Sequence, residues 1–183
     1  MTDIISATGQ GSAGDTTPHV HRILGEARAM LRESGWESVS MRRLAARLGV
    51  KAPSLYKHIS GKQELYTLLL EETKGRLAGA LSEAWGREAT VSSLLRAYRS
   101  AALAEPHGYL LLARGRTVLR AEPGEGELDV ITAFQEAAGG DRAAGLAMWA
   151  FAHGLVTAEI TQEGARPEDA DAVWEAGARA FGG

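Results

Sequence analysis

The segment APSLYKHISGK, at residues 52–62, concentrates side chains that bind phosphate. Its hydroxyl and cationic side chains, which can donate hydrogen bonds to phosphate oxygens, are Ser54, Tyr56, Lys57, His58 and Lys62. Ala52 and Pro53 are small and apolar, so the backbone there can approach base edges and touch thymine methyl groups. These residue types at this spacing predict contact with a nucleic acid.

A second group of candidate residues lies just upstream, where another helix is predicted to begin. Arg42 is the best candidate for a bidentate bond to guanine, because arginine to O6 and N7 is the commonest specific pairing. Arg43 could equally contact a phosphate, and Ser40 offers a further hydroxyl group. We therefore predict that base reading and phosphate binding are shared between two neighbouring helices.

The charge of the chain is divided unevenly. Residues 19–62 carry nine Lys and Arg side chains against three Glu side chains, a net charge of +6, whereas the whole chain carries −3. A localised basic patch is the electrostatic pattern of polyanion binding. Charge alone leaves open the alternative of a solvated surface with no partner.

Composition limits the kind of protein further. With 183 residues, of which 45% are apolar, the chain can bury a sizeable core. It has no Cys, which excludes disulfides and Cys-based zinc sites, and we expect no metal site at His19 and His21. Residues 1–18 lack the basic and apolar regions of a secretion signal. Their Gly, Ser and Thr content predicts a disordered tail, and we expect a cytoplasmic protein.

The hydrophobic pattern predicts an all-α protein. Helices are expected over 19–34 and 41–48, from Ala52–Pro53, from Ser60 to about Trp85, over 90–104, from 106, and over 125–138, 142–162 and 167–181. Ser40 is the predicted N-cap of the second helix, and Gly49 ends it. Val50 is predicted to be a buried turn residue. Ser60 and Gln63 form a capping-box pattern at the start of the fourth helix.

Two short helices joined by the tight turn LGV indicate a helix-turn-helix, within a three-helix domain at 19–66. In that motif the second helix lies in the DNA major groove while the first crosses the backbone. The larger domain at 67–183 would then bind a ligand and form the dimer. Three-helix cores without DNA binding also exist, so the spacing by itself leaves that alternative open.

The sequence SMRRLAARLGVKAPSLYKHISGKQEL, at residues 40–65, resembles the DNA-binding region of the TetR family of repressors. The resemblance extends from residue 19 to about 66 and includes LGV, SLYKH and KQEL. The second half resembles the family more weakly, through WAFAHGLVTAEI at 149–160, which is similar to a Trp and His-Gly helix of one subgroup. At Ala52 many relatives carry a longer polar side chain, so reading there would be by shape or methyl contact.

The resemblance implies an all-α homodimer that binds a palindromic operator on double-stranded DNA and is released by a small-molecule effector. The residues it places in the groove are Arg42, Ala52, Pro53, Tyr56 and Lys57. Those it places against phosphates are Ser40, Ser54, His58 and Lys62. The effector remains unidentified from the sequence, and no cofactor is expected.

The larger domain holds the candidate effector site. The candidate lining residues are Trp85, Tyr98, Tyr109, Phe134, Trp149 and His153. Each could instead belong to the core, and His153 could lie at the dimer contact. The apolar stretch at 143–158 is predicted to be a core helix rather than a membrane span, because Asp141, Arg142 and Glu159 flank it closely. The dimer is expected to form through helices 142–162 and 167–181, with Val173, Trp174, Gly177 and Phe181 at the contact.

The sequence leaves two other classes of protein as alternatives. One is a helical interaction module that keeps the fold and has lost DNA binding, against which Tyr56, Lys57 and Lys62 argue. The other is an enzyme, the weakest of the three, because the sequence has no Cys, no phosphate-binding glycine loop, no metal-ligand spacing and no nucleophile elbow.

Overall fold

The computed structural model describes residues 18–114, 125–162 and 167–182, and within them it confirms the all-α class, with no strand. The helices are α1 Pro18–Ser34, α2 Met41–Leu48, α3 Ala52–Leu55, α4 Lys62–Arg87, α5 Val91–Ala104, α6 Pro106–Arg114, α7 Glu125–Ala137, α8 Arg142–Thr161 and α9 Pro167–Gly182. A short 3-10 helix, Trp36–Ser38, joins α1 to α2. The predicted tail at 1–18 lies outside the described residues, apart from Pro18 at the start of α1.

Residues 18–66, which we call the head, pack around a small core of their own. Apolar side chains of α1 and α2 meet Leu55 and Ile59, which are 2% and 1% exposed. The first turns of α4 close this core, and Leu111 of α6 enters it from the remainder of the protein. We call the described residues after 66 the body.

The turn between α2 and α3 differs from its prediction. Gly49 adopts the left-handed conformation (φ 69°), and the N–H groups of Gly49 and Val50 bond to the carbonyls of Ala46 and Ala45. This is a Schellman ending, in which backbone bonds fix the turn. The prediction that Val50 is buried was wrong: its side chain is 39% exposed, because the turn directs it outward.

The start of α4 also differs. The helix begins at Lys62 with Gly61 as its N-cap, and the Ser60 N–H donates to Glu64 Oε2 at 2.5 Å. The capping box predicted from Ser60 and Gln63 was therefore wrong, since the side chain that reaches back comes from Glu64. Hydrogen bonds from the side chain and the backbone of Ser60 lower the pKa of the Glu64 carboxyl group.

The body core is formed by α5, α7, α8 and α9 against the second half of α4. Its helices approach closely where α7 crosses α8. A Cβ added at Gly145 would lie 2.7 Å from the Cα of Gln135, so this crossing requires glycine. Tyr98 and Phe134 lie at the centre of the core, where they are 1% and 0% exposed.

Helix α8 is long and apolar enough to cross a membrane by length and composition, with a mean hydropathy of 1.3. One such helix is weak evidence for a membrane protein, and α8 packs against α5, α6, α7 and α9 as a core helix does. Only one stripe of it is buried within the chain, formed by Gly145, Met148, Ala152 and Val156. The other residues of α8 are half-buried or exposed within one subunit.

Candidate nucleic-acid interface and effector region

The ten residues predicted to bind DNA lie together on the surface of the head. Ser40 and Ala52 are half-buried, and the other eight are exposed: Arg42, Arg43, Pro53, Ser54, Tyr56, Lys57, His58 and Lys62. Ser40 is the N-cap of α2, as predicted, and its Oγ accepts the Arg43 N–H at 3.3 Å. Leu55 and Ile59 point into the head core, which leaves their neighbours in sequence directed outward.

Two arginines of the head form ion pairs between helices. Arg47 joins α2 to α1 through Glu26 and through Glu33, at 2.6 Å, and these carboxylates raise the pKa of its guanidinium group. Arg28 joins α1 to α4 through Glu72 at 2.5 Å. Arg47 therefore holds two helices of the head together, and Arg28 joins the head to the body.

Three exposed cations on the α2–α3 side have no hydrogen-bond or ion-pair partner anywhere in the described ranges: Arg42, Lys51 and Lys57. Lys51 was not among the predicted residues. It is the N-cap residue of α3, directly before the Ala52–Pro53 helix start. This position beside the predicted recognition helix is the sequence signal that could have identified Lys51 as a candidate DNA contact. The head therefore presents unpaired positive charge where the helix-turn-helix motif meets DNA.

Three of the predicted residues have contacts within the protein. Arg43 donates to the Ser38 carbonyl at 2.7 Å, and the Lys62 ammonium lies 4.7 Å from the Trp36 ring centroid. The His58 ring stacks on His19 with centroids 5.1 Å apart. These side chains must exchange an existing contact for a phosphate, so each adds less to binding than an unpaired cation does.

The predicted effector residues meet in the body around a chain of hydrogen bonds. The hydroxyl groups of Tyr98 and Tyr109 lie 2.9 Å apart, and the Tyr109 hydroxyl lies 2.6 Å from His153 Nδ1. Trp149 stacks on His153 with centroids 4.9 Å apart, and Phe134 packs edge-on to Tyr98. We call Tyr98, Tyr109, Trp149 and His153 the aromatic network.

Burial keeps this network neutral. It raises the pKa of Tyr98 well above the usual value and that of Tyr109 to about 12, and it lowers the pKa of His153. In the tautomer with its proton on Nε2, His153 accepts from Tyr109, and Tyr98 then donates to Tyr109. The sixth predicted residue, Trp85, is half-buried on α4 at the edge of the same core and has no bond to the network.

Two residues expected at the dimer contact lie inside the subunit. Trp174 is 6% exposed, and its Nε1 donates to Glu159 at 2.6 Å. The ring of Phe151 lies directly over Gly177, where a Cβ would meet it at 2.2 Å. The expectation for these two residues was wrong, because they pack α9 onto α8 of the same chain. Over the described part of the chain, no group of three or more His, Asp or Glu side chains could hold a metal ion.

Two family models match most of the chain. Residues 23–69 match the bacterial regulatory proteins of the tetR family, and residues 91–181 match the tetracyclin repressor-like C-terminal domain. A basic helix-turn-helix head on a helical body defines a DNA-binding transcription regulator. The chain belongs to the TetR family, whose members typically form homodimers and bind ligands.

Solved structures with the same fold share little sequence with it. A protein of unknown function from Rhodococcus sp. RHA1 has a TM-score of 0.67 at 24% identity, covering 89% of this chain and 95% of its own. A TetR-family regulator from Streptomyces coelicolor has a TM-score of 0.65 at 20% identity, and the match covers 88% of this chain and 92% of that protein. A TetR variant from Acinetobacter baumannii AYE, solved in complex with minocycline, has a TM-score of 0.61 at 23% identity. The match covers 88% of this chain and 92% of that protein. A comparison with curated proteins finds no match.

Proposed function

We propose that this protein is a cytoplasmic repressor that binds a palindromic operator as a homodimer and is released by a small-molecule effector. The observation that carries the proposal is the set of exposed cations Arg42, Lys51 and Lys57 beside the α2–α3 turn, which have no partner among the described residues, on a chain whose net charge is negative. Positive charge gathered at one end of an acidic protein attracts a polyanion to that end.

The motif would make two kinds of contact, one with bases and one with the DNA backbone. Arg42 reads guanine, and Ala52 and Pro53 touch base edges by shape. Tyr56 and Lys57 flank them and fix the position of the head on the backbone. In a dimer the two heads would lie one helical turn of DNA apart, about 34–36 Å.

The effector site that we propose lies at the aromatic network, between α5, α6 and α8. The network combines buried apolar area with a few fixed hydrogen-bonding groups, which is the usual composition of a small-molecule site. A relative of the same fold was solved with minocycline, which supports a small-molecule effector without identifying it.

Helix α6 offers a route from this site to the head. Tyr109 belongs to the aromatic network, and Leu111, two residues on, lies in the head core. The same helix has three bonds to the head: Tyr66 donates to the Leu111 carbonyl at 3.2 Å, His107 Nδ1 lies 2.9 Å from the Arg32 carbonyl, and Arg114 donates to Glu37 at 2.5 Å. A ligand that displaces Tyr109 would therefore shift the head, provided it binds the two head positions with different affinity.

The dimer contact that we propose uses the apolar residues that α8 leaves incompletely buried. They include Leu146, Phe151, Leu155 and Ile160, with α9 beside them. Sedimentation at micromolar concentration should give a dimer. A monomer under these conditions would contradict the proposal.

Footprinting on the DNA that flanks the gene tests the DNA-binding proposal. We expect two protected half-sites related by two-fold symmetry, with protection lost when the cognate effector is added. A helical interaction module would protect no DNA, even at protein concentrations at which a known DNA-binding protein protects its own site. A single unsymmetrical footprint would contradict binding as a dimer to a palindrome.

A further inference from the structure

An apolar cleft opens on the head beside the proposed DNA-binding surface. It has a volume of about 260 Å³ and lies between the start of α1, the turn after α2, and α3. Its apolar wall is formed by Ile23, Leu48, Val50 and Leu55. Ser54 and His58, two residues of the proposed DNA contact, form part of its edge. Whatever fills the cleft therefore also covers part of the DNA-binding surface.

The edge of the cleft is basic as well as open. Arg22 lies on it and donates to the Leu48 carbonyl at 3.0 Å, and the stacked rings of His19 and His58 form another side. Val50 stands at the opening with 39% of its surface exposed. A partner suited to this site combines small branched apolar side chains with an adjacent negative charge.

The chain itself supplies such a segment before α1. Residues 1–17 lie outside the described residues, and they contain two Asp and no Lys or Arg. Ile4 and Ile5 are their only adjacent pair of large apolar residues, and Asp3 comes directly before them. The segment therefore has the apolar pair and the acidic neighbour that the cleft favours.

The connection to the cleft is long enough. Twelve residues, 6–17, lie between Ile5 and Pro18, and apart from Gln10 and Asp15 they are Gly, Ser, Ala and Thr. A Gly- and Ser-rich chain of this length has an end-to-end distance of about 20 Å. His19, at the start of α1, is itself part of the cleft, so the segment has only to turn back on the helix it precedes.

We propose that Ile4 and Ile5 dock in this cleft as an autoinhibitory segment that competes with DNA for the head. Docking buries the two side chains against Val50 and Leu48 and brings Asp3 beside Arg22. It also covers Ser54 and His58. The competition with DNA rests on the proposed function, whereas the docking itself does not.

Other occupants fit the cleft less well. Small-molecule sites usually enclose about 300–1,000 Å³, which is more than this cleft provides. A second copy of the head would lie about 34–36 Å away on an operator and would not reach it. A tail that binds the DNA minor groove would need arginines or lysines, which residues 1–17 lack.

Docking can be measured without DNA, because the chain has no native cysteine. The full-length variant Ile5→Cys with Val50→Cys should form an intramolecular disulfide under mild oxidation. The matched pair Ile5→Cys with Glu83→Cys should form it at least tenfold more slowly, because Glu83 is exposed about 31 Å along α4 from Lys62. Equal rates for the two pairs would overturn docking, whatever the DNA result.

The effect on DNA is tested with the double variant Ile4→Ser/Ile5→Ser against the matched control Ala7→Ser/Ala13→Ser. If the segment is docked in about 70–90% of molecules, its release should raise DNA affinity about three- to tenfold. The control should bind as the unaltered protein does. Unchanged or weaker binding by the double variant would overturn the competition. If no variant binds DNA, the proposed function fails, and the disulfide rates alone still decide whether the segment docks.

Discussion

Arg42 stands at the exposed start of α2 without a partner among the described side chains, and it is the residue that we expect to carry sequence information. Arg42→Ala should lower operator affinity by about 1–3 kcal/mol and relax preference at one base pair, because a bidentate bond to guanine is lost. Binding measured on operators with single base changes would show this. A uniform loss across all of these sequences would make Arg42 a phosphate contact instead.

His153 gives a prediction about pH. Burial lowers the pKa of His153 in the folded protein, so the unfolded chain binds the proton more readily. The free energy of unfolding should therefore be constant above the ordinary histidine pKa of about 6.5 and should fall as the pH drops below it.

His153→Gln should reduce this fall between about pH 8 and pH 5.5. Chemical denaturation at each pH measures it, and comparing slopes removes any constant change in stability caused by the substitution. If the free energy of unfolding of the variant fell with pH as steeply as that of the unaltered protein, the assignment of this pH dependence to His153 would be contradicted.

At the level of helices, α6 ties the body to the head. Leu111 is 1% exposed and lies in the head core, although it belongs to a helix of the body. Leu111→Ala should lower the free energy of unfolding by about 2–5 kcal/mol, as truncation of a buried leucine does. The control Leu103→Ala, on the adjacent helix and 40% exposed, should change it by less than about 0.5 kcal/mol. Similar losses for both variants in denaturant unfolding would contradict a role for α6 in the head core.

Helix positions followed from the sequence wherever local chemistry sets them. The Ser40 cap, the Gly49 ending and the Pro167 start depend on one or two residues each, and the structure has all three. The start of α4 did not follow, because the helix begins one residue later than the Ser60 cap implies, with Gly61 as its N-cap, and Glu64 rather than Gln63 then reaches the Ser60 N–H.

Side-chain direction was harder to predict than helix position. An apolar residue after a glycine turn is usually buried, and Val50 is not, because the three-dimensional course of the turn decides. Trp174 and Gly177 were assigned to the dimer contact, since the sequence does not show that Phe151 of the same chain covers them. The aromatic network brings together residues up to 55 positions apart, and its hydrogen bonds were not visible in the sequence.

At the level of the whole molecule, the account depends on charge placed at one end. The head carries the unpaired cations and the body carries most of the acidic residues, so the protein should approach DNA head first. The arrangement also explains why a chain with a net charge of −3 can bind a polyanion.

The most direct test is the salt dependence of DNA affinity for the triple variant Arg42→Ala/Lys51→Ala/Lys57→Ala. The matched control removes three exposed body arginines, as Arg87→Ala/Arg96→Ala/Arg179→Ala. Because Lys51 and Lys57 would contact phosphates while Arg42 reads a base, the slope of log affinity against log salt should fall by about 1.8 for the head variant. The control should keep the slope of the unaltered protein. An equal change in both variants, or none in the head variant, would contradict DNA binding through the α2–α3 face.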